Sequence, residues 1–476
     1  MSNETVPGLN RIQIGATTVA FLLIFTSIAM ISSMDVEEDE YEEILLDALI
    51  YTYPMILFER TKETQSNTML PTESKAPINQ FIHTQHLSNS DFKDFTMPNV
   101  DTIYSVLNYD VMDEPFVLFL PDPDRFYNLQ VLSAWIDVIY VMGSGGEDLV
   151  PTAVCGPGFD VSTLPEGLNH VISPTNSGLI GSRTMIDGDL DLQNVIDIQN
   201  EMRFVPLSYY HSKEDYVPPQ GEYDPSLEFV PRDEVERMTI QEYFNLANEK
   251  MLTNRPNPGD EDMLKKLAKI NVGPGLEFDS SIFGKYPARA WNAAVKALPK
   301  LTLEDSQRFF INDGIWNYQG DPIGDFGTEY KYRAFIAYYG YVANPTSVAI
   351  YINATEYSDG MDLTGSNSYI IHLETGQFPP YIESDRGFWS ITAYNGSQFL
   401  IENEIDRYSI NNRMHLKENP DGSVDILVSN ERPDDITNWL PVTGDGEKFM
   451  LTLRIYIPDK DAIDAGWECP QVEMMV

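Results

Sequence analysis

Apolar and polar positions switch between helical and strand spacing along the chain. YEEILLDALIYTYPMILFER places Ile44, Leu45, Ala48, Leu49 and Thr52 at helical spacing. Pro54 is expected to end or kink that helix, because its ring removes an N–H and crowds the preceding turn. Residues 64–98 are polar and irregular, punctuated by Pro71, Pro77 and Pro98. From Thr102 the period becomes two. TIYSVLNYDV, PFVLFLPD, FYNLQVLSAWIDVIYVMG, PTAVCGPGF and GLIGSRTMI are short β-rich runs separated by Asp, Pro and Gly. They predict one β-sandwich or barrel over about 100–215. Helical spacing returns in RDEVERMTIQEYFNLANEKMLTN, DEDMLKKLAKI, PARAWNAAVKAL and LEDSQRFFINDGI. From about 345 the chain alternates again, in SVAIYINAT, SNSYIIHLE, GFWSITAYN, SVDILVSN and KFMLTLRIYIP, which predict a second sandwich. Asn419–Ser423, NPDGS, is a turn signal because Asp-Gly tolerates positive φ. The two β regions share an architecture but no sequence repeat at a fixed period.

The N-terminal segment carries no charge between Arg11 and Asp35, and its apolar heart runs from Ile14 to Ile31. That length is near the minimum for a helix to cross a bilayer. Arg11 lies upstream and the acid run Asp35–Glu43 downstream, which orients the bulk of the chain outside the cytosol. A transmembrane anchor is the reading adopted; a cleaved signal and a buried core helix are the alternatives. The expected organisation is an anchor or signal over 1–34, a β domain with an N-terminal helix over 35–229, a helical linker layer over 230–320, and a β-sandwich over 321–476. The fold class is therefore mainly β with a helical insert (α+β), preceded by a transmembrane helix, with the chain single-pass and largely extracytoplasmic.

Composition narrows the function classes. The 476 residues are 42% apolar and 12% aromatic, ample for a large core and unlike a disordered chain. The formal net charge of −42 repels nucleic-acid phosphates and anionic lipid surfaces. Cys155 and Cys469 are the two cysteines. They suit one bridge, if the tail returns to the first domain, or two buried thiols.

Four groups of residues carry candidate chemistry. Asn99, Asp101, Thr102, Tyr104 and Ser105 crowd one segment, where Asp101 and Tyr104 would make an acid/base pair. An Asx-turn that ties the strand entry is the favoured reading of the same residues. His83 and His86, with Asp101, are a weak metal candidate; no H-E-x-x-H occurs, and no metal or cofactor is assigned. Trp389, Tyr394, Arg407, Tyr408, Asn438, Trp439 and Arg454 form a polar-aromatic set that suits a sugar or small-molecule cleft, against the plainer reading of sandwich core. Gly143–Asp148, GSGGED, lacks the lysine and following helix of a phosphate loop, and no G-x-S-x-G motif is present.

PNVDTIYS, Pro98–Ser105, resembles the central signature of the DUF1254 family. LPDPDRFYNLQVLSAWIDV, CGPGF and the SRT at Ser182–Thr184 are similar to the strands that follow it there. DGMDLTGSNSYIIHL, GFWSITAYN, IDRYSI, DGSVDILVS, NWLPV and LRIYIPD resemble the DUF1214 family in order and spacing. The resemblance spans residues 44–476. It implies two jelly-roll-like β-sandwich domains with helical decoration, and no known activity. The glycine turn departs from it, reading GSGGED where a basic residue is expected, so no anion site is assigned there.

Three functions compete. The acidic shell and the lack of a standard motif favour a structural or binding protein of surface or virion type, and also the third reading. The cluster around Asp101 favours an extracytoplasmic hydrolase of a small-molecule or glycan substrate. The third is a carbohydrate-binding protein. Asn99, Arg183, Trp389, Arg407, Asn438 and Trp439 are the candidate ligand-binding residues. The expected partners are the membrane, through the N-terminal helix, a glycan or small molecule, and a second copy of the chain.

Overall fold

The computed structural model describes residues 36–93, 96–212, 216–444 and 446–475. Helix α1 (Val36–Ser66) runs on through Pro54. An internal proline costs a helix about 3 kcal/mol. Here burial outweighs it: Leu45, Leu49, Tyr53, Ile56 and Phe58 are almost wholly buried, and each such side chain contributes about 1.5–3 kcal/mol. The helix does not end at Pro54, because tertiary packing, rather than local propensity, decides its length.

Strands β1 (Ile82–His83), β2 (Thr102–Asp110), β3 (Phe116–Phe119), β4 (Tyr127–Ser133), β5 (Val138–Gly143), β6 (Thr152–Cys155), β7 (Asn169–Ile172), β8 (Ser177–Met185) and β9 (Arg203–Pro206) make the first β region. They form a five-stranded sheet, β1-β2-β8-β4-β5, and a four-stranded sheet, β7-β6-β3-β9. Leu107, Leu129, Val131 and Ile180 of the first meet Leu118, Val154, Val171 and Phe204 of the second in one apolar core. Helix α2 (Leu192–Glu201) seals one end, where Val195 packs on Ile103 and Ile186.

Helices α3 (Pro231–Arg237), α4 (Ile240–Thr253), α5 (Glu261–Leu267) and α6 (Pro287–Ser306) follow, and α7 (Tyr330–Tyr339) comes after the next hairpin. A capping box of Thr239 and Glu242 starts α4 by satisfying backbone N–H groups that the helix leaves open. Tyr243, Phe244, Trp291 and Phe335 close around Leu49 and Ile56 of α1, and the same core takes Leu132 and Leu179 from the five-stranded sheet and Trp135 from the turn after β4. FFIND has helical spacing, yet it forms strand β10 (Phe310–Asp313) paired with β11 (Trp316–Gln319). The turn between them carries Gly314 at φ +59°, a conformation open to glycine.

Strands β12 (Ala349–Ala354), β13 (Tyr369–Leu373), β14 (Phe388–Asn395), β15 (Ser409–Asn411), β16 (Val424–Ser429), β17 (Trp439–Pro441), β18 (Phe449–Tyr456) and β19 (Val472–Met474) build the second β region, with α8 (Lys460–Asp464) near its end. Its sheets run β10-β11-β12-β18-β14-β15 and β17-β16-β13-β19. Ile350, Ile391, Leu451 and Leu453 meet Ile371, Ile426, Val428 and Val472 between them.

The second region repeats the plan of the first strand for strand. β8 lies between β2 and β4 as β18 lies between β12 and β14. β3 lies between β6 and β9 as β13 lies between β16 and β19. Each small sheet also contains one parallel pair, β6 with β7 and β16 with β17. Those pairs depart from the jelly-roll expectation, because jelly rolls belong to the antiparallel architectures. The expected fold class needs a further correction. The chain is mainly β sheets with several helices, and no helix among the described residues is long and apolar enough to cross a membrane. The transmembrane helix expected over 14–31 lies outside the described residues.

Candidate functional site

A polar layer lies between the two larger sheets. Alternation on β18 sends Leu451, Leu453 and Ile455 into the sandwich core and leaves Thr452, Arg454 and Tyr456 on the opposite face. On β14 it sends Trp389 and Ile391 inward and leaves Ser390, Thr392 and Tyr394 opposite. Period-two logic would put that face in water. Instead these residues are buried. Bonds to the first β region cover them: Ser390 Oγ donates to Asp101 Oδ2 at 2.5 Å, Asn99 Nδ2 to the Tyr456 hydroxyl at 2.8 Å, and the Tyr394 hydroxyl to the Pro98 carbonyl at 2.8 Å.

Strand register lines up the same chemistry twice. Across β2, β8 and β4, Tyr104 is opposite Arg183 and Arg183 opposite Asn128. Across β12, β18 and β14, Tyr351 is opposite Arg454 and Arg454 opposite Ser390. Arg183 donates to Asn344 Oδ1 and to the Val342 carbonyl, each at 2.7 Å. The Val342 loop can come this close because Gly181 has no side chain; a Cβ there would lie 3.1 Å from Val342 Cγ1. Val342 itself is held at φ +63°, a strained conformation for a β-branched residue. Asn344 Nδ2 then donates to the Tyr351 hydroxyl at 3.1 Å. Arg454 lies 5.9 Å from the Tyr351 ring centre, and it donates to Thr392 Oγ1 at 2.8 Å and to the Tyr394 hydroxyl at 2.5 Å. One chain of contacts thus links the two arginines through Asn344 and Tyr351.

Asp101 is fully buried, and among the described residues its Oδ1 has no hydrogen-bond donor. The nearest cation to that oxygen is Arg413, with Nη2 at 3.8 Å. Burial raises the pKa of Tyr456 well above its ordinary value, and the charge of Asp101 adds to the rise. Burial likewise raises Tyr394, and raises Tyr351 against the pull of Arg183 and Arg454. Burial alone would lower Arg454, but Tyr394, Tyr456 and Asp101 outweigh it and raise its pKa. Arg454 therefore stays charged and these phenols stay neutral. The layer can donate many hydrogen bonds, but near neutral pH none of these phenols offers a phenolate base.

The candidate residues fall in three places. Asn99, Asp101, Tyr104 and Arg183 all reach this layer. The Asx-turn is present, with the Asp101 N–H on Asn99 Oδ1 at 2.7 Å. Tyr104 lies beneath the Arg183 guanidinium at 5.5 Å. Trp389 neighbours Ser390 but points the other way, into the sandwich core. Arg407, Asn438 and Trp439 form a separate cluster. The Arg407 guanidinium donates to the carbonyls of Ile436, Thr437 and Trp439, and burial lowers its pKa. Asn438 donates to the carbonyls of Lys417 and Asp425, and Trp439 Nε1 to that of Ser429. His83 and His86 separate, the first bonded to Ser105 and the second to exposed Glu73. Among the described residues, no group of three or more His, Cys, Asp or Glu is placed to hold a metal.

Sequence reasoning missed Ser390, Tyr351, Asn344, Arg413 and Tyr456. Three of them sit at the polar positions of alternating strands, where the pattern reads as a solvated face. The one available signal was that AIY and LRIY mirror TIY and SRT, a tyrosine and an arginine at matching places in the two β regions.

Residues 78–206 match the family described as protein of unknown function DUF1254, and residues 348–460 match the one described as protein of unknown function DUF1214. No curated protein matches the chain. Among solved structures, the VPA0106 protein from Vibrio parahaemolyticus is 20% identical, with a TM-score of 0.67, over 91% of this chain and all of that one. That likeness shows a shared fold. A protein from Burkholderia cenocepacia, 12% identical over 92% of this chain and 94% of that one, has a TM-score of 0.38, too low to inform the fold. The Asp101 segment and Arg183 lie inside the first matched region, and Arg454 inside the second. The chain belongs to the family in which a DUF1254 region is followed by a DUF1214 region.

Proposed function

We propose that the chain is a binding protein that holds a small polar ligand in the layer between its two sandwiches. One observation carries this reading: several of the buried side-chain atoms that have no hydrogen-bond partner among the described residues lie there. They include Asp101 Oδ1, Asn128 Oδ1, Gln130 Oε1 and the Nε atoms of Arg183, Arg413 and Arg454. A buried donor or acceptor left unpaired costs about 1–3 kcal/mol. Such a concentration suits a ligand, or the water it displaces. Tyr104 and Tyr351 are less buried than the arginines and Asp101 beside them.

A binding role is favoured over hydrolysis. Asp101 Oδ2 accepts from Ser390, and among the described residues Asp101 and Tyr104 share no hydrogen bond that would make them an acid/base pair. Calorimetric titration with glucose, malonate and inorganic phosphate tests the reading. At least one probe should bind saturably to the parent, and Tyr104→Trp, which crowds the layer, should abolish that binding. A parent that binds none of the three, or a Trp variant that binds equally well, overturns it.

A further inference from the structure

We propose that the ligand is a small oxyanion, a carboxylate or phosphate group, held by the guanidiniums of Arg183, Arg413 and Arg454. This rests on the reading of the layer as a binding site and adds the chemistry of what binds.

The charge balance of the layer is the first support. Of the three guanidiniums, Arg413 lies 3.8 Å from the Asp101 carboxylate and Arg454 feels its charge, while no ion pair among the described residues reaches Arg183. Among the described residues, Arg183 and Arg454 form no ion pair; their partners are a carbonyl, an amide and two hydroxyls. Arg413 has Asp101 at 3.8 Å. Arg183 and Arg454 are 6% and 2% exposed. One carboxylate shared by Arg413 and Arg454, with none paired to Arg183, leaves the positive charge of the layer under-compensated, and an anion beside these arginines would relieve that cost.

The second support is geometric. Arg183 and Arg454 occupy the same register position in the two repeats, each beside a tyrosine on the neighbouring strand. Among the described residues, the Nε–H groups of both, with Nε and Nη1 of Arg413, are donors with no acceptor. Guanidinium is the side chain best suited to a planar or tetrahedral oxyanion, because it can offer two parallel N–H bonds.

The net charge of −42 sharpens the inference. A surface so acidic repels anions, so capture would have to be local to this layer. Salt also relieves the self-repulsion of such a chain, and any anion test needs a chloride control at matched ionic strength.

Thermal melts and calorimetry of the whole chain supply the test. Phosphate or malonate should raise the melting temperature with saturation at millimolar concentration, while chloride at the same ionic strength should give a smaller, unsaturating rise. Whichever of the two saturates at the lower concentration identifies the phosphate or carboxylate source. Arg413→Gln should weaken the anion at least about tenfold, the value of one charge-assisted hydrogen bond. Arg183→Lys keeps the charge but loses the paired N–H geometry, and should weaken it severalfold; it carries the measurement if the Gln variant does not fold. A parent that binds glucose but neither anion beyond chloride overturns the oxyanion and leaves the binding site standing. A parent that binds no probe overturns both. Unchanged anion affinity in both variants removes the arginines from the account.

Discussion

The two sandwiches have the same backbone plan and different side-chain chemistry at the same point. The Ile186 N–H bonds to the carbonyl of Asp101 at 3.0 Å, just before β2 begins; the Ile457 N–H bonds to that of Val348 at 2.8 Å, just before β12. The backbone geometry is repeated, but a carboxylate stands in one copy and an isopropyl group in the other. Phe126 and Phe388, each opposite the last residue of its central strand, pack edge to face at 5.6 Å where the copies meet. The arginine of each row is kept, whereas its surroundings are not. Arg454 has the hydroxyls of its own sheet and the field of Asp101, while Arg183 depends on the carbonyl and amide of the 342–344 loop. Repeated backbone hydrogen bonds thus preserve a frame on which charge can be distributed unevenly.

The sharpest way to break this comparison is to make the first copy like the second. Asp101→Val strips the layer of its carboxylate and leaves the buried Arg454 and the partly buried Arg413 without that counter-charge. The expected loss is about 3–5 kcal/mol in urea unfolding. A variant as stable as the parent would mean that the asymmetry has no energetic consequence. Arg183→Met removes a group with neutral partners, so it should cost less, about 1–3 kcal/mol, mostly through the unpaired Val342 carbonyl and Asn344. If it costs more than Asp101→Val, the burden of charge lies in the other copy.

Histidines give the two sandwiches opposite pH responses. In the first, burial pushes His83 down to about 4. It is neutral when folded and protonated when unfolded below its ordinary value near 6.5. Stability should therefore fall as pH drops from about 6.5 towards 4, by about 1–2 kcal/mol for a half-buried ring. His83→Gln should flatten that loss in melts taken between pH 4 and 7. In the second sandwich, the hydrogen bond to Asp425 raises the pKa of His372. Its contribution is present below pH ~6.5 and fades as pH rises through the raised value. The pair is largely exposed, so His372→Gln should lower the melting temperature slightly at pH 6 and leave it unchanged at pH 9. Identical pH profiles for the two variants would erase the contrast.

The smallest difference is between the thiols. Burial pushes Cys155 up to about 11, and burial with Asp313 raises Cys469 further. Both are free, Cys155 on the small sheet of the first sandwich and Cys469 in the core of the second. Neither should react with Ellman's reagent in native protein, and both should react in urea. A fast native thiol would mark the looser sandwich.

The amino-acid sequence by itself determined the β runs, the helical stretch between them and the turn at Asn419–Ser423, because each depends on local period and backbone preference. It also marked Asn99, Asp101, Tyr104 and Arg183, which cluster in short motifs. It misread FFIND, where a glycine turn overrides local spacing, and it left open whether the helix would run on past Pro54, which tertiary burial decided. The repeat of the strand plan was hidden, since pairing order leaves no fixed period in sequence. The polar layer was hidden for a related reason. Alternation tells which residues share a face, but whether that face meets water or a second sheet depends on how two sandwiches dock. Only the tertiary structure decided that Arg454, Ser390 and Tyr351 would be buried against the strands that carry Asp101 and Arg183.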